Sequence, residues 1–366
     1  MAGLYVHIPF CSSRCTYCGF YSTTGLELCE KYVNAICKEI KLRNGNIETI
    51  YIGGGTPSQL SIEQLKRIFK NIYIYNKVEN NAEITLEVNP DDITKQFAEA
   101  LRELPVNRIS MGAQTFRNER LKFLNRRHNA SQIIDAVETL RKTEFKNISI
   151  DLMYGFPEQT LSEWNTDIDR ALALGVEHIS TYCLMYEEST PLYKLLEKGK
   201  ISEIDEELER EMYYTLIERL ESAGYEHYEI SNFAHKGYRS RHNSSYWIGT
   251  PYIGIGAAAH SFDIKTRSWN VADIHKYIAG MEQENRLYEE EGIDADTRYN
   301  DAITVALRTK EGLDLTNLPK DKQTYCIANA KRHIESKLLR LDNNHLTLTK
   351  EGLFVSDMVM SDLMMV

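Results

Sequence analysis

Cys11, Cys15 and Cys18 stand within eight residues, in the order Cys-Ser-Ser-Arg-Cys-Thr-Tyr-Cys. A cubane iron–sulfur cluster has four iron corners and normally takes four thiolates. Three protein thiolates without an obvious fourth would leave one iron open, and an open coordination position is where a metal does chemistry. A structural zinc site is the alternative, but it needs a fourth ligand, for which His7 is the nearest choice. The other cysteines, Cys29, Cys37, Cys183 and Cys326, show no pairing logic. Cys29 and Cys37 lie eight residues apart on one predicted helix and read as packing residues.

Further residue types able to do chemistry are spread along the chain. Glu87 and Asp151 sit inside apolar runs, where carboxylates are rarely buried without a partner. Ion pairs with Arg108 or Arg126 are the structural alternative to a functional role. Gly53-Gly54-Gly55-Thr56-Pro57 lacks the lysine and spacing of a phosphate loop. It reads either as a tight strand–helix turn or as backbone that approaches a ligand closely. His242-Asn-Ser-Ser-Tyr246-Trp247 offers an imidazole beside two aromatic rings. That is a haem-iron ligand in one reading and a hydrogen-bonded core histidine in the other.

The elements that must position these residues alternate. Short β-rich runs at Leu4–Pro9, Thr49–Gly53, Glu83–Asn89, Arg108–Gln114, Ile148–Tyr154 and His178–Met185 are separated by amphipathic helical stretches, among them Leu26–Leu42, Ser61–Tyr75 and Thr160–Ala173. The pattern predicts an α/β fold, a partial (β/α)6 TIM-like barrel whose strands are nearly continuous in apolar residues. The chemically distinctive residues fall at or near the C-terminal ends of those strands, the edge that carries the active site in a parallel barrel. An aromatic and glycine-rich extension follows at about 225–290, with Tyr246–Phe262 reading as strands and turns. The acidic run Glu289-Glu290-Glu291-Gly292 looks like a boundary, which divides the chain into domains at 1–290 and 291–366. The second has the helix, helix, hairpin order of a winged-helix-like module.

A formal charge of −10 without a basic half disfavours a nucleic-acid partner. No apolar run approaches the roughly 20 residues that span a bilayer. The N-terminus has no signal peptide, so the expected compartment is the reducing cytoplasm.

Taken together, Tyr5-Val-His7-Ile-Pro-Phe-Cys11-x3-Cys15-x2-Cys18 and Gly53-Gly-Gly-Thr-Pro57 resemble the radical S-adenosylmethionine (SAM) superfamily. Glu87-Val-Asn-Pro, Ser110-Met-Gly-Ala-Gln114, Asp151-Leu-Met-Tyr-Gly-Phe-Pro, Tyr228-Glu-Ile-Ser-Asn-Phe and His242-Asn-x-x-Tyr-Trp narrow the resemblance to the oxygen-independent coproporphyrinogen III oxidase-like group, and within it to the HemW-type haem chaperones.

The resemblance implies a [4Fe–4S] cluster on Cys11, Cys15 and Cys18, with SAM chelated at the open iron. Gly54, Gly55 and Thr56 would receive its amino group and Glu87 its ribose hydroxyls. Tyr5, Tyr17, Gln114, Arg126, Asp151 and Met185 would complete the cofactor's surroundings. It also implies haem as cargo on His242, haem-accepting proteins as partners, membrane-bound ones among them, and an electron donor if SAM is cleaved. Two departures separate the chain from the true oxidases. Phe20 stands where they carry a further cysteine, and only ten residues precede Cys11 where they carry a long segment. Another oddity is Gly19, where the chaperone branch usually has Asp. The departures point to a haem chaperone that uses the cluster and SAM for regulation or assembly. Oxidative decarboxylation of coproporphyrinogen III is the alternative activity. Reductive opening of haem by a related radical enzyme is a third.

Overall fold

The computed structural model describes residues 1–365. Its first half is a run of βα units: β1 (Ala2–Ile8), α1 (Cys29–Leu42), β2 (Asn46–Gly54), α2 (Ile62–Tyr75), β3 (Lys77–Val88), α3 (Lys95–Leu101), β4 (Arg108–Gln114), α4 (Asn118–Phe123), α5 (Ala130–Lys142), β5 (Ile148–Tyr154), α6 (Leu161–Ala173) and β6 (His178–Cys183). Helix starts are encoded locally. Ser61, Asn129 and Thr160 each form a reciprocal capping box with the Gln or Glu three residues on.

β1 to β6 pair in parallel in sequence order. Their outward positions, such as Leu4, Val6, Ile50, Ile52, Leu86, Ile109 and Ile150, are fully buried in one apolar core with the flanking helices. The inward positions are different. Tyr5, Tyr51, Glu87, Arg108, Ser110, Asp151 and Ser180 line a cavity, so the strands alternate apolar and polar rather than running continuously apolar. A parallel strand covered by helices on one side and facing a ligand cavity on the other takes this period of two.

The chain continues through α7 (Pro191–Glu197), α8 (Glu206–Ser222), β7 (Glu226–Glu229), β8 (Asn232–Ala234), α9 (Arg241–Trp247), β9 (Tyr252–Ile255), β10 (His260–Phe262), β11 (Thr266–Asn270), α10 (Ile274–Glu282) and β12 (Tyr288–Gly292). One sheet has the order β12-β11-β10-β9-β1-β2-β3-β4-β5-β6-β8-β7. Its two outer strands do not pair, so the barrel is partial. Two expectations are corrected here. Tyr246 and Trp247 close a helix capped by Ser240, not a strand. The acidic run is β12, an exposed edge strand antiparallel to β11, and three glutamates on an edge deter pairing with another chain.

The last segment holds α11 (Ala295–Ala306), β13 (Leu313–Asp314), α12 (Lys320–Glu335), β14 (Leu339–Asp342), β15 (His345–Leu348), α13 (Lys350–Phe354) and α14 (Ser356–Leu363). Its sheet runs β13-β15-β14. Asn343 and Asn344, both at positive φ, make the hairpin turn. A second apolar core of residues 299–363 underlies it. The molecule is an α/β partial barrel with a C-terminal α+β module.

Candidate functional site

The cysteine loop between β1 and α1 is held at several points. Cys11 N–H donates to Thr23 O (2.9 Å), Thr16 N–H to Leu124 O (3.1 Å), Leu192 N–H to Thr16 O (2.9 Å), and the Asn125 amide to Arg14 O (2.8 Å). The glycine loop after β2 docks beside it, with Gly55 N–H on Ile8 O and Thr56 N–H on Phe10 O, both at 2.8 Å. A side chain at Gly55 would place its Cβ 2.7 Å from the Pro9 carbonyl carbon. Gly54 has φ +111°, and a Cβ there would lie 2.4 Å from the His7 ring. Glycine is required at both positions, by close approach and by backbone angle.

The three cysteines, partly exposed and unbridged, line one cavity of about 670 Å3. Among the described residues no three His, Cys, Asp or Glu side chains converge on a point that a single metal ion could fill. The thiols instead spread around a shared space. Thr56 Oγ1 lies 3.6 Å from Cys11 Sγ and donates to it, and Arg126 Nη1 donates to Cys15 Sγ at 3.4 Å. Burial pushes the Cys11 and Cys18 thiols up, and deprotonation on iron must offset that cost.

The same cavity takes Tyr5, Tyr17, Gly54, Gly55, Thr56, Glu87, Gln114, Arg126, Asp151 and Met185. Strand register makes this possible. Glu87 pairs with Ser110, and Gly112 with Asp151, which pairs with Ser180. Inward residues of successive strands therefore share layers. Glu87 accepts from the Tyr51 hydroxyl (2.6 Å) and from Gly54 N–H (2.9 Å). Burial raises its pKa, those two donors opposing the rise. Burial, with Glu87 nearby, pushes Asp151 up to about 7. Neither carboxylate pairs directly with Arg108 or Arg126 among the described residues, but the Arg108 charge acts on both, opposing the effect of burial.

Arg126 leaves the turn after α4, where Asn125 adopts φ 58°. Its guanidinium donates to Gly112 O (2.7 Å), to Asn89 Oδ1 and to Cys15 Sγ, while its buried Nε has no partner. The absence of a side chain at Gly112 makes room, since a Cβ there would lie 3.1 Å from Arg126 Nη2. Gln114 ends β4 at φ 68°, just past a register shift. Met185 lies beyond the end of β6 and is exposed.

This donor set fits a cluster carrying a zwitterionic, sulfonium-bearing ligand. Three thiols spread around one space, glycine backbone is held where any Cβ would collide, and a half-buried guanidinium whose buried Nε–H is free stands ready for a carboxylate. Half-buried carboxyls at Glu87 and Asp151 complement a cation and hydroxyl groups.

His242 is placed elsewhere. It is 1% exposed, its Nδ1 is 2.8 Å from Thr49 Oγ1 and its Nε2 2.8 Å from the Tyr246 hydroxyl, and the ring stacks on Tyr51. Burial holds its pKa down at about 3. The imidazole is neutral and both nitrogens are engaged. Sequence reading missed Tyr51 and Ser180, carried Asn89 only as part of a motif, and read Arg108 only as an ion-pair partner. The alternation of β2, β4 and β6 is the signal that points them inward.

Residues 5–171 match the model of the Radical SAM superfamily, and 293–355 that of the HemN C-terminal domain. The haem chaperone HemW of Bacillus subtilis is 40% identical over 286 residues, covering 76% of this chain and 75% of that one. HemW of Lactococcus lactis is 36% identical, covering 84% and 82%. HemW of Mycobacterium tuberculosis is 29% identical, covering 99% and 94%. The solved structure of the coproporphyrinogen III oxidase HemN from Escherichia coli, a radical SAM enzyme, superposes with a TM-score of 0.85 at 22% identity, covering 99% of this chain and 89% of that one. The fold is therefore that of HemN, and by sequence the chain belongs to the HemW family of radical SAM proteins.

Proposed function

We propose that this protein binds haem and hands it to haem-requiring acceptor proteins in the cytoplasm, membrane-bound ones among them. Cys11, Cys15 and Cys18 would hold a [4Fe–4S] cluster, whose open iron, with SAM bound, supplies one-electron cleavage of a sulfonium C–S bond when an electron donor is present. The chain's own residues bind and shield. Gly54, Gly55 and Thr56 would take the amino group, Arg126 the carboxylate and Glu87 the ribose hydroxyls. Tyr5, Tyr17, Gln114, Asp151 and Met185 would exclude water around the rest.

The observation that carries this reading is a pair of adjoining cavities. The polar one described above shares Tyr5, Gly19 and Phe20 with a larger, aromatic-walled one. Phe20, 71% exposed, puts a bare aromatic ring at the junction. An exposed apolar ring beside an apolar cavity suits the flat, largely apolar face of haem better than it suits coproporphyrinogen III, a macrocycle too but a puckered one richer in carboxylates. The family's name points the same way. The division of the chain near residue 290 is supported by its two separate apolar cores.

Anaerobically reconstituted protein given coproporphyrinogen III, SAM and a reductant should yield no protoporphyrinogen, while transferring bound haem to an apo-acceptor. Protoporphyrinogen at catalytic yield would replace this reading with the oxidase one.

A further inference from the structure

The second cavity, of about 1460 Å3, lies between the face of β9–β11, the end of α9 and the first helix of the C-terminal module. Pockets for ordinary small ligands occupy about 300–1,000 Å3, so this one can take a large planar ligand. Tyr246, Trp247, Tyr252 and Phe262 supply aromatic wall.

His7 and His260 line this cavity and His242 lies behind Tyr246, and the hydrogen bonds of the three separate them. His7 Nε2 is 3.0 Å from Tyr21 O and its Nδ1 2.8 Å from the Tyr5 hydroxyl, so both nitrogens are used. Both of His242 are used as well. His260, on β10, is exposed to the cavity, and among the described residues neither of its ring nitrogens has a hydrogen-bond partner. It stacks on Trp269, its antiparallel neighbour, at 5.8 Å between ring centroids. Phe262, two residues on, faces the same way. Burial and the nearby Arg267 hold the His260 pKa below the ordinary imidazole range, which keeps the ring in its neutral, metal-ligating form at pH 7.

The cations of the cavity also differ. Arg267 is committed to Asp301 and to Glu291 (3.5 Å). Arg298, on α11, makes only a long contact to Ile264 O (3.5 Å) and no ion pair among the described residues. A free guanidinium at the mouth of an aromatic cavity suits a carboxylate carried by an apolar ring system.

We propose that haem occupies this second cavity with its iron on His260, not on His242, and a propionate on Arg298. This rests on the haem-binding reading above. His242 becomes a positioning residue. Releasing its Nε2 for iron would break the bond to the Tyr246 hydroxyl, which ties that ring to the cavity wall. By holding Tyr246 against the cavity, His242 shapes the haem site from behind.

The test is titration of ferric haem into the full-length reconstituted protein, followed by Soret absorbance and by electron paramagnetic resonance, for the wild type, His260→Gly and His242→Gln. Cluster absorbance and SAM binding report that each variant is folded. The wild type should show histidine ligation. His260→Gly should lose that signature and bind about 10-fold or more weakly, since even outer-shell changes at metal sites cost about 10–100-fold, and free imidazole should restore the spectrum. His242→Gln should keep histidine ligation. Arg298→Ala should weaken binding with the ligation signature unchanged. A His260→Gly spectrum identical to wild type would overturn the site, as would loss of histidine ligation in His242→Gln alone. Wild-type protein that takes up no haem would instead overturn the haem-binding reading itself.

Discussion

The two cavities meet at Tyr5, Gly19 and Phe20 but are built by opposite means. The barrel cavity is made of inward positions of parallel strands, and its polar groups bond each other, as in Tyr51–Glu87 and Arg126–Gly112. Its Gly54 and Gly55 cannot be replaced without collision. The second cavity is made of an antiparallel extension, a short helix and a helix from a separate core, and its imidazole and one guanidinium are left free. A cofactor that must sit in one pose needs the first construction. A cargo that must leave again is served by the second. Rigidity and release are divided between neighbouring walls.

Changes confined to one cavity break this comparison if they fail to stay local. The largest expected effect is Cys18→Ser, which should abolish the intact cluster while the protein stays soluble. Retained [4Fe–4S] absorbance and paramagnetic signals after reduction would refute the three-thiolate assignment. Next is Arg126→Leu, which removes a charge-assisted bond worth about 1.5–3 kcal/mol. SAM affinity measured by equilibrium dialysis should fall about 10- to 100-fold at that magnitude, with haem affinity unchanged. Gly54→Ala should cost about 1–3 kcal/mol in urea unfolding, from the φ of +111° and the collision with His7.

The smallest effect sharpens the role of His242. Its folded pKa of about 3 lies below the ordinary 6.5, so the unfolded chain binds a proton that the native state refuses. Stability from this group is full above pH 6.5 and falls as pH drops towards 3. Between pH 6 and 4 the wild type should therefore lose stability more steeply than His242→Gln, by about 1.4 kcal/mol per pH unit for one proton. Equal slopes in urea titrations would show that the imidazole is not held neutral.

Much of this architecture was legible in the chain. The six βα units, the cysteine loop and the placing of Glu87, Gln114 and Asp151 at strand ends or inside strands follow from apolar periodicity and from where polar residues interrupt it, whereas Arg126 joins them only through the family resemblance. What was hidden depended on tertiary partners. Thr85, Ser110, Ser149 and Ser180 are small enough to pass unnoticed in apolar runs, so inward polarity looked like continuous burial. Glu289, Glu290 and Glu291 look like a boundary rather than a strand because an edge strand can be fully charged. Aromatic Tyr246 and Trp247 suggested a strand, whereas Ser240, whose side chain accepts from Asn243 N–H, starts a helix. His242 carries a ligand's local neighbourhood, and only the approach of Thr49 from β2 and Tyr246 from the next helical turn reveals it as satisfied.

The central claim is that SAM and haem occupy different, adjoining cavities. Haem titrated into cluster-loaded protein with and without saturating SAM tests it directly. The account predicts one haem per chain in both titrations, with SAM still bound at the end. Stoichiometric displacement of SAM by haem would contradict it.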